Sequence, residues 1–450
     1  MSKTIKLKKG YDIKIIGTPK KTVHSNFKAT THAVKPTDFI GISPIPKLTV
    51  NVGDRVKAGD TLFYDKKKPE ILYTAPVSGE IVEIKRGEKR SLAEVVILAD
   101  EKISYKLFNP IRISSASRGE IVKFLLETGC WPFIRQRPYN VIANPDEQPK
   151  NIFISGFKTA PLAPDLGFTL QGQAAAFSAG VSILKKLTKG KVYLGLNPKQ
   201  DDKVFAQSKE TEVTYFDGPH PAGNVGVHIH HTAPINKGDV VWTIDPQDVI
   251  LIGRTVNTGK YDTSRLVALG GTPVSQPQYY KTYLGASIKN MVANNLTKDH
   301  VRFISGDILT GDKIAADGHV GAFHQQVTVV EEGDNYEFLG WLMPSYARPS
   351  VSRTFMSFMK PNKEYDVNTN THGEHRGFVV TGAYEKVTPM DVLPMQLLKS
   401  ILYRDFELME GLGIYEVVEE DLALCEFICP SKTDVQEILR EGLDYMREQA

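Results

Sequence analysis

Cysteine is scarce in this chain, which has three cysteines in 450 residues. Three thiols cannot build a disulfide framework, and an odd number leaves at least one of them free, which is typical of a reducing compartment. Long apolar runs are also missing, because even residues 240–253 contain two aspartates and a proline. A membrane-spanning helix needs about 20 predominantly apolar residues. The sequence therefore predicts a chain without a membrane span of its own.

A signal peptide and a strong net charge are absent as well. Residues 1–16 carry lysines but no apolar segment of signal-peptide length, so we expect a cytoplasmic chain that reaches a membrane only through a partner. The 55 Lys+Arg and 52 Asp+Glu leave a net charge of +3, which does not favour a nucleic-acid binder. Residues 1–100 nevertheless carry 19 basic and 11 acidic residues, and residues 401–450 carry 4 and 13. Two ends of opposite sign can face each other or different partners.

Conventional catalytic and nucleotide-binding motifs are missing too. The sequence contains no G-x-x-x-x-G-K-[ST], no G-x-G-x-x-G after a strand, no G-x-S-x-G and no H-E-x-x-H. We therefore expect no autonomous enzymatic activity.

The pattern of strands, helices and turns predicts a multidomain α+β chain. Residues 47–100 alternate short apolar segments with Gly-Asp and Ser-Gly turns, which indicates a hairpin-built β unit resembling the barrel-sandwich fold of biotinyl and lipoyl carriers. Its tip, Asp65–Glu70, lacks the flanking methionines of a biotinyl lysine, so we interpret the unit as a docking module. Apolar strands at Ile152–Ser155, Val192–Leu196, Val213–Phe216 and Val240–Ile244, with a helix over Gln171–Leu187, predict a Rossmann-like parallel sheet.

The second half of the chain predicts two further units. Strands at Leu266–Leu269 and Arg302–Ile304 around a helix near Gly285–Asn295 resemble a β-grasp unit of the SLBB type. Thr388 and Pro389 resemble the start of a helix that runs to Gly411, and Asp434 precedes a second helix. The predicted domains are 1–105 (barrel sandwich), 106–256 (Rossmann-like), 257–330 (β-grasp) and 331–450 (a C-terminal region that ends in a helical, degenerate ferredoxin-like module).

Two residue clusters have the composition of metal or cluster ligands. The spacing of Cys425, Cys429 and Pro430 matches the end of the ferredoxin motif C-x2-C-x2-C-x3-C-P, but Leu422 and Glu419 stand at the two upstream cysteine positions. We therefore predict a degenerate module that binds no iron–sulfur cluster.

The second cluster is a group of imidazoles. His228 and His230 would share one face of a strand near His220, yet no cysteine or carboxylate at ligand spacing completes a zinc site. We expect a hydrogen-bonded structural or interface loop without a metal.

Several long motifs follow one another along the chain. They are Ile5–Asp12, Ala75–Gly79, Gly129–Pro138, Gly218–Asn224 with His228 and His230, Ser352–Phe355 and Glu420–Pro430. In this order they resemble one family, the A subunits of the sodium-translocating NADH:quinone oxidoreductases. A more distant likeness is to the C subunit of the Rnf complex and to the flavin-binding subunit of respiratory complex I.

The resemblance implies a peripheral subunit of a six-subunit respiratory complex in the bacterial inner membrane, which oxidises NADH, reduces a quinone such as ubiquinone and exports Na⁺. This chain would bind the membrane-embedded B subunit on the cytoplasmic side. The relatives' Gly-rich flavin loop corresponds here to the bulky Trp131–Pro138, so we expect no bound cofactor, and the flavins and iron–sulfur centres would belong to other subunits. Two alternatives remain: a cofactor-bearing electron-transfer subunit of the Rnf type, and a free-standing carrier or binding protein.

The segment Trp131–Pro138 has two interpretations. Trp131 and Phe133 offer flat apolar faces to a quinone ring, while Arg135 and Arg137 offer forked donors to its carbonyl oxygens or to acids on the B subunit. Alternatively, the aromatic rings fill the core that a lost flavin leaves, and the arginines are solvated. The quinone or interface candidates are Trp131, Phe133, Arg135, Arg137, His220, His228 and His230.

Overall fold

The computed structural model describes residues 3–200, 203–206, 208–334 and 345–449. The strands in these ranges are β1 (Lys3–Lys6), β2 (Val23–His24), β3 (Thr31–Val34), β4 (Lys47–Leu48), β5 (Arg55–Val56), β6 (Thr61–Tyr64), β7 (Leu72–Thr74), β8 (Gly79–Arg86), β9 (Leu92–Ala99), β10 (Arg135–Arg137), β11 (Val141–Ile142), β12 (Ile152–Ser155), β13 (Val192–Leu196), β14 (Thr211–Asp217), β15 (Val241–Thr243), β16 (Arg265–Gly270), β17 (Gln278–Thr282), β18 (Val301–Ser305), β19 (Asp312–Ile314) and β20 (Gln326–Glu331).

The helices in the same ranges are mostly short. They are α1 (Arg118–Thr128), α2 (Leu166–Thr169), α3 (Ala174–Leu187), α4 (Val225–Thr232), α5 (Pro246–Thr258), α6 (Lys289–Val292), α7 (Pro394–Leu402), α8 (Phe406–Gly411), α9 (Glu419–Ile428) and α10 (Val435–Gln449). Of the part of the chain described here, no helix is long and apolar enough to cross a membrane.

The first unit pairs two small antiparallel sheets in the orders β3-β9-β8-β5 and β4-β6-β7. Side chains of both sheets, including Leu62, Phe63 and Ile81, are fully buried. Lys66 and Lys67 are exposed in the turn between β6 and β7. The period-two pattern of the sequence thus gives a barrel sandwich whose lysine tip stands free in solvent.

The second unit is a sheet in the order β1-β14-β13-β12-β15-β10-β11, in which the first five strands are parallel. Helices α3 and α5 pack against each other, and glycine makes their close approach possible. A Cβ on Gly253 would lie 1.9 Å from the carbonyl oxygen of Ala176, and one on Gly180 would lie 2.1 Å from that of Val249. Any larger residue at either position would push the helices apart.

The third unit is a six-stranded sheet in the order β19-β18-β20-β16-β17-β2. Strands β16 and β18 confirm the predicted strands at Leu266–Leu269 and Arg302–Ile304. The predicted helix near Gly285–Asn295 shortens to α6, because Ala286 and Ser287 form bridges to His32 and His319 instead.

The C-terminal helices show one error of prediction and one success. The helix predicted from Thr388 begins at Pro394. The Thr388 hydroxyl donates back to the Tyr384 carbonyl at 3.0 Å, onto the preceding 3-10 turn Tyr384–Lys386, and caps no helix that follows. The run also breaks at Arg404, whose φ of 54° ends α7 before α8. Helix α10 follows Asp434 as predicted.

The first two strands lie outside the barrel sandwich. Strand β1 pairs in parallel with β14 at the edge of the α/β sheet, and β2 pairs in parallel with β17 in the β-grasp sheet. The N-terminal 24 residues therefore contribute a strand to the α/β sheet and a strand to the β-grasp sheet. The domain boundaries at 105, 256 and 330 stay a prediction.

Candidate functional site

A cavity of about 460 Å³ opens at the carboxyl ends of the parallel strands. It lies where β12 ends at Ser155 and β15 ends at Thr243. From β12 the chain passes through β13 to β14 on one side and then returns to β15 on the other, so this is the point where the strand order reverses. Open α/β sheets bind their ligands at such a switch point.

Four parts of the chain build the wall of this cavity. The α/β domain contributes the loop after β12, the start of α4 and Asp245, which precedes α5. The barrel sandwich contributes Thr37, Asp38 and Ile40, and the β-grasp domain contributes residues from 306–312 and from 321–326. The helical module contributes Glu419, Glu420 and Gln436. Residues far apart in sequence therefore share one site.

Carboxylates outnumber cationic side chains in the lining. Arg135 and Lys158 are the two cationic side chains, and the six carboxylates are Asp38, Asp245, Asp307, Asp312, Glu419 and Glu420. We call this space the acidic cavity. Burial raises the pKa of Asp38 to about 6, although Lys35 and the Ala322 N–H, which donates to Oδ2 at 2.7 Å, act in the opposite direction.

Asp245 is the most heavily bonded of these carboxylates. It caps α5 by accepting the Gln247 N–H at 2.9 Å, binds Lys158 at 2.9 Å and accepts the Gln325 side-chain amide. Burial favours a raised pKa, but Lys158 and these donors hold the pKa of Asp245 below its usual value. Asp245 is thus an anion that belongs to the fold.

Trp131 and Phe133 lie inside the core. Trp131 is fully buried, donates its indole N–H to the Ala143 carbonyl at 2.8 Å and meets Trp242 edge to face. Phe133 is 3% exposed and packs edge to face on Phe39. Neither ring presents a free face to a ligand.

The two arginines of the same segment have different environments. Arg137 is 1% exposed and forms ion pairs with Glu420 at 2.7 Å and Asp421 at 3.1 Å. Arg135 lines the cavity with its guanidinium 5.0 Å from the centre of the Phe323 ring.

The carboxylates bound to Arg137 titrate differently. Burial raises the pKa of Asp421 to about 6 despite Arg137, and Glu420 pushes it in the same direction. For Glu420, Arg137 and Arg135 outweigh burial and lower the pKa. The ion pairs therefore join β10 of the α/β domain to the start of α9.

The histidines lie on a helix, so the predicted strand is wrong. His228, on α4, is stacked between Phe157 and Phe216 and donates from Nε2 to the Ala222 carbonyl at 2.8 Å. Burial lowers its pKa to about 4. Such a neutral, enclosed imidazole is a packing element.

His230 and His220 have separate partners. His230 Nε2 accepts the Asp391 N–H at 3.0 Å, so Nδ1 carries the proton that is donated to Glu416 at 2.9 Å. His220 lines the cavity, with Nδ1 3.1 Å from the Thr159 hydroxyl. Within the described ranges, no group of three or more His, Cys, Asp or Glu is arranged to hold a metal ion.

The two C-terminal cysteines are buried in the helical core. Cys429 Sγ accepts the Tyr384 hydroxyl at 2.9 Å and the Thr433 N–H at 3.4 Å, and Cys425 Sγ lies 3.3 Å from the Thr388 hydroxyl. Both side chains are 1% exposed, and burial raises the pKa of Cys425 to about 12. A [4Fe–4S] cluster needs four thiolates, so these residues do not fit one.

The segment Trp131–Pro138 does not fit a flavin phosphate either. Its amides are used within the fold, since the Phe133 N–H donates to the Cys130 carbonyl at 3.4 Å and the Ile134 N–H to the Trp131 carbonyl at 3.0 Å. A phosphate site needs several free amides that point to one place.

Sequence reasoning missed most of the acidic cavity. Asp38, Asp307 and Asp312 come from two domains and share no spacing pattern. Asp245 alone had a local signal, because an aspartate after a predicted strand and before Pro246 marks a helix N-cap at the end of a sheet.

Three family models match the chain in succession and define its class, a multidomain subunit of a sodium-translocating quinone reductase. They are the NqrA N-terminal barrel-sandwich hybrid domain (residues 5–100), the NqrA second alpha/beta domain (residues 116–261) and the NQRA C-terminal domain (residues 266–316). The predicted fold class is thereby confirmed.

Curated relatives agree over the whole chain. The A subunit of the Na(+)-translocating NADH-quinone reductase of Yersinia pestis bv. Antiqua (strain Angola) is 39% identical over 450 residues, which cover 99% of this chain and 100% of the relative. The A subunit of Saccharophagus degradans is 39% identical and covers 98% of each chain, and that of Vibrio anguillarum is 38% identical. The chain belongs to this family of A subunits and is part of the Na⁺-translocating NADH:quinone reductase.

A solved NAD⁺-reducing [NiFe]-hydrogenase in the air-oxidised state is similar over 77% of this chain and 67% of its own. Its sequence identity is 10% and its TM-score is 0.36.

Proposed function

We propose that this chain is the peripheral, cofactor-free member of the complex. It binds chiefly to the membrane-embedded B subunit on the cytoplasmic side, and the flavins and iron–sulfur centres belong to other subunits. The acidic cavity carries this proposal, because the position where an α/β domain would bind an anionic cofactor is lined by six carboxylates.

Electrostatics explains why this lining disfavours a flavin nucleotide. The N-terminus of α5, which would attract a phosphate, is already capped by Asp245. A carboxylate and a phosphate at about 5 Å repel each other by about 3 kcal/mol at an effective dielectric constant of about 20. Two or three such contacts would cancel the binding free energy of a cofactor whose Kd is about 1 μM.

Spectroscopy of the purified chain tests the proposal. Aerobic and anaerobic preparations should both be colourless, without a stoichiometric flavin band and with iron far below four atoms per chain. The double variant Cys425→Ser/Cys429→Ser, assembled into the complex, should retain quinone reductase activity. A flavin or a cluster at one per chain would instead establish the Rnf-type alternative.

For the quinone site, we propose a contribution from Arg135. It is the arginine of Trp131–Pro138 that reaches the cavity, whereas Arg137 has buried ion-pair partners. Arg135→Ala should raise the apparent quinone KM or shift inhibitor sensitivity while assembly and NADH oxidation stay normal. Unchanged quinone parameters in the assembled variant would assign the site to a neighbouring subunit.

A further inference from the structure

The 3-10 turn Met356–Met359 exposes its apolar side chains and buries its polar one. Met356, Phe358 and Met359 are 42%, 46% and 53% exposed, whereas Ser357 is 1% exposed. Single exposed apolar residues are ordinary on a protein surface, but three large ones within four residues concentrate apolar area at one place. Such a concentration marks a surface that contacts another apolar phase.

Basic residues accompany this turn. The charged residues within residues 345–363 are all basic, and they are Arg348, Arg353, Lys360 and Lys363. Arg353 and Lys360 are exposed and lie three residues before the turn and directly after it. The next acidic residue along the chain is Glu364. The exposed apolar side chains are therefore flanked by positive charge on both sides.

Hydrogen bonds on both sides of the turn hold it against the body of the protein. Before the turn, the Phe355 N–H donates to the Ser350 hydroxyl oxygen at 3.0 Å. After it, the Lys14 ammonium group donates to the Pro361 carbonyl at 3.0 Å, and the Tyr365 N–H donates to the Lys14 carbonyl at 2.9 Å. The turn is thus presented in a fixed position, which lowers the entropy cost of binding.

Charge distinguishes this turn from another exposed apolar patch. Leu402 and Tyr403, at the end of α7, are also exposed. Asp405 and Glu407 follow them closely, and an anionic surface would repel these carboxylates. Exposed apolar side chains beside lysine and arginine are instead the combination that favours the interface of an anionic bilayer.

We propose that residues 345–363 rest on a bilayer that contains anionic lipids. The apolar side chains of Met356–Met359 enter the boundary between headgroups and acyl chains, and Arg353 and Lys360 bind lipid phosphates. Each basic residue near such a surface contributes about a factor of five to the affinity. The inference goes beyond the proposed scaffold role and does not depend on it, because the chain itself contacts the lipid. It changes the expectation that a partner alone brings the chain to a membrane.

Sedimentation of the purified full-length chain with lipid vesicles tests the proposal. Vesicles of phosphatidylethanolamine with about one quarter phosphatidylglycerol should bind the chain about 25-fold more tightly than vesicles of phosphatidylcholine, since two exposed cations contribute about fivefold each. Salt at about 0.5 M should weaken the binding to anionic vesicles, because it screens the lipid charge. Equal binding to both kinds of vesicle, or binding to neither, would overturn the proposal.

The apolar contribution is tested with a triple variant. Met356→Ser/Phe358→Ser/Met359→Ser should weaken binding to the anionic vesicles about 100-fold, because the apolar area that enters the bilayer is lost. The thermal melt should not change, since these side chains are exposed. The matched control Leu402→Ser/Tyr403→Ser should bind as the native chain does. A triple variant that binds normally would refute insertion of the turn.

The contribution of charge is tested with a double variant and its own control. Arg353→Gln/Lys360→Gln should bind the anionic vesicles about 25-fold more weakly and should bind phosphatidylcholine as before. Lys89→Gln/Arg90→Gln removes two exposed charges from the barrel sandwich and should have little effect. An equal loss in this control would mean that the general basic charge of the N-terminal region causes binding, and the proposal would be wrong.

The assembled complex, reconstituted into the same vesicles, separates lipid from protein as the occupant. Met359→Cys can be labelled selectively with an environment-sensitive dye, because the three native cysteines are buried. Spin-labelled lipids should quench the dye at position 359 and should not quench a dye on Tyr403→Cys. A dye at position 359 that is shielded from water but not quenched would lie against a partner subunit, and this result would overturn the lipid contact.

Discussion

The ion pairs of Arg137 allow the sharpest test of how the domains are joined. We consider Arg137→Met, which keeps much of the side chain's length and apolar volume but removes its charge. In the native chain the guanidinium binds Asp421, whose side chain is 0% exposed, and Glu420, whose side chain is 30% exposed. The variant removes the cation that acts on Asp421 and leaves Glu420 with the charges of Arg135 and Lys158 alone.

Arg137→Met should reduce the free energy of unfolding strongly, because the Asp421 carboxylate is fully buried. Removing one partner of a buried ion pair typically costs about 3–5 kcal/mol. The cost should depend on pH. Burial already raises the pKa of Asp421 to about 6 with Arg137 in place, and without Arg137 that pKa rises further. Protonation then relieves the variant, so its deficit should be largest above about pH 7 and shrink towards pH 5.

Hydrogen exchange measured by mass spectrometry reports this local stability. At pH 7.5 the amides of α9 and β10 should lose about 100- to 1000-fold in protection, which corresponds to about 3–4 kcal/mol. Amides of the barrel sandwich should change little.

Two control variants isolate the role of the charge. Arg135→Met, two residues earlier on the same strand, should change protection less than fivefold, because Arg135 forms no ion pair with a residue that the structure describes. The triple variant Arg137→Met/Glu420→Gln/Asp421→Asn should recover most of the loss. Two results would show that the ion pairs do not stabilise the contact between β10 and α9. One is an equal loss of protection in Arg137→Met at pH 5 and pH 7.5, and the other is a loss of less than threefold at both pH values.

Three further outcomes are expected. Acidification from pH 7 to pH 5 should lower the free energy of unfolding by about 2 kcal/mol through His32, because burial lowers its pKa to about 3 in the folded chain whereas the unfolded chain takes up the proton near pH 6.5. The variant His32→Leu should lose that part of the acid sensitivity in thermal melts. Gly226→Ala should lower the melting temperature by several degrees, since the added Cβ would lie 2.3 Å from a carboxylate oxygen of Asp421. Gly377→Ala should leave the melting temperature unchanged, because a Cβ there has no atom within 4 Å. Raised salt should help release this chain from the solubilised complex, and retention up to molar salt would indicate an apolar interface.

The sequence predicted the parallel strands well for a physical reason. Ile152–Ser155 and Val192–Leu196 are short apolar runs with turns on both sides, and both form strands of the predicted length. Local composition determines such segments because both faces of the sheet are covered.

The errors in predicted secondary structure arose where a local sequence pattern is compatible with two different structures. Val227, His228, Ile229 and His230 alternate apolar and imidazole side chains as a strand would, but they form α4 because Phe157 and Phe216 hold the His228 ring from two sides. Thr388 likewise resembles an N-cap, although its hydroxyl binds backwards along the chain. Contacts distant in sequence decided the first case, and a carbonyl four residues earlier decided the second.

The site was the least predictable part. The acidic cavity combines residues from four segments, and no spacing rule connects Asp38 to Asp312. Arg135 and Arg137 look equivalent in sequence. Only the position of α9 makes one a buried ion-pair partner and leaves the other at the cavity.

The pairing of β1 with β14 has a consequence for how the chain folds during synthesis. Lys3 lies opposite Thr214, so the first strand has no partner until more than 200 further residues have been made. At about 5–20 residues per second, this interval is roughly 10–40 seconds. During that time the barrel sandwich can fold while its leading strand stays unpaired. The β1 edge of the parallel sheet can therefore close only after β14 has been made, and a bulky fusion at the N-terminus would delay closure of that edge and not the start of folding.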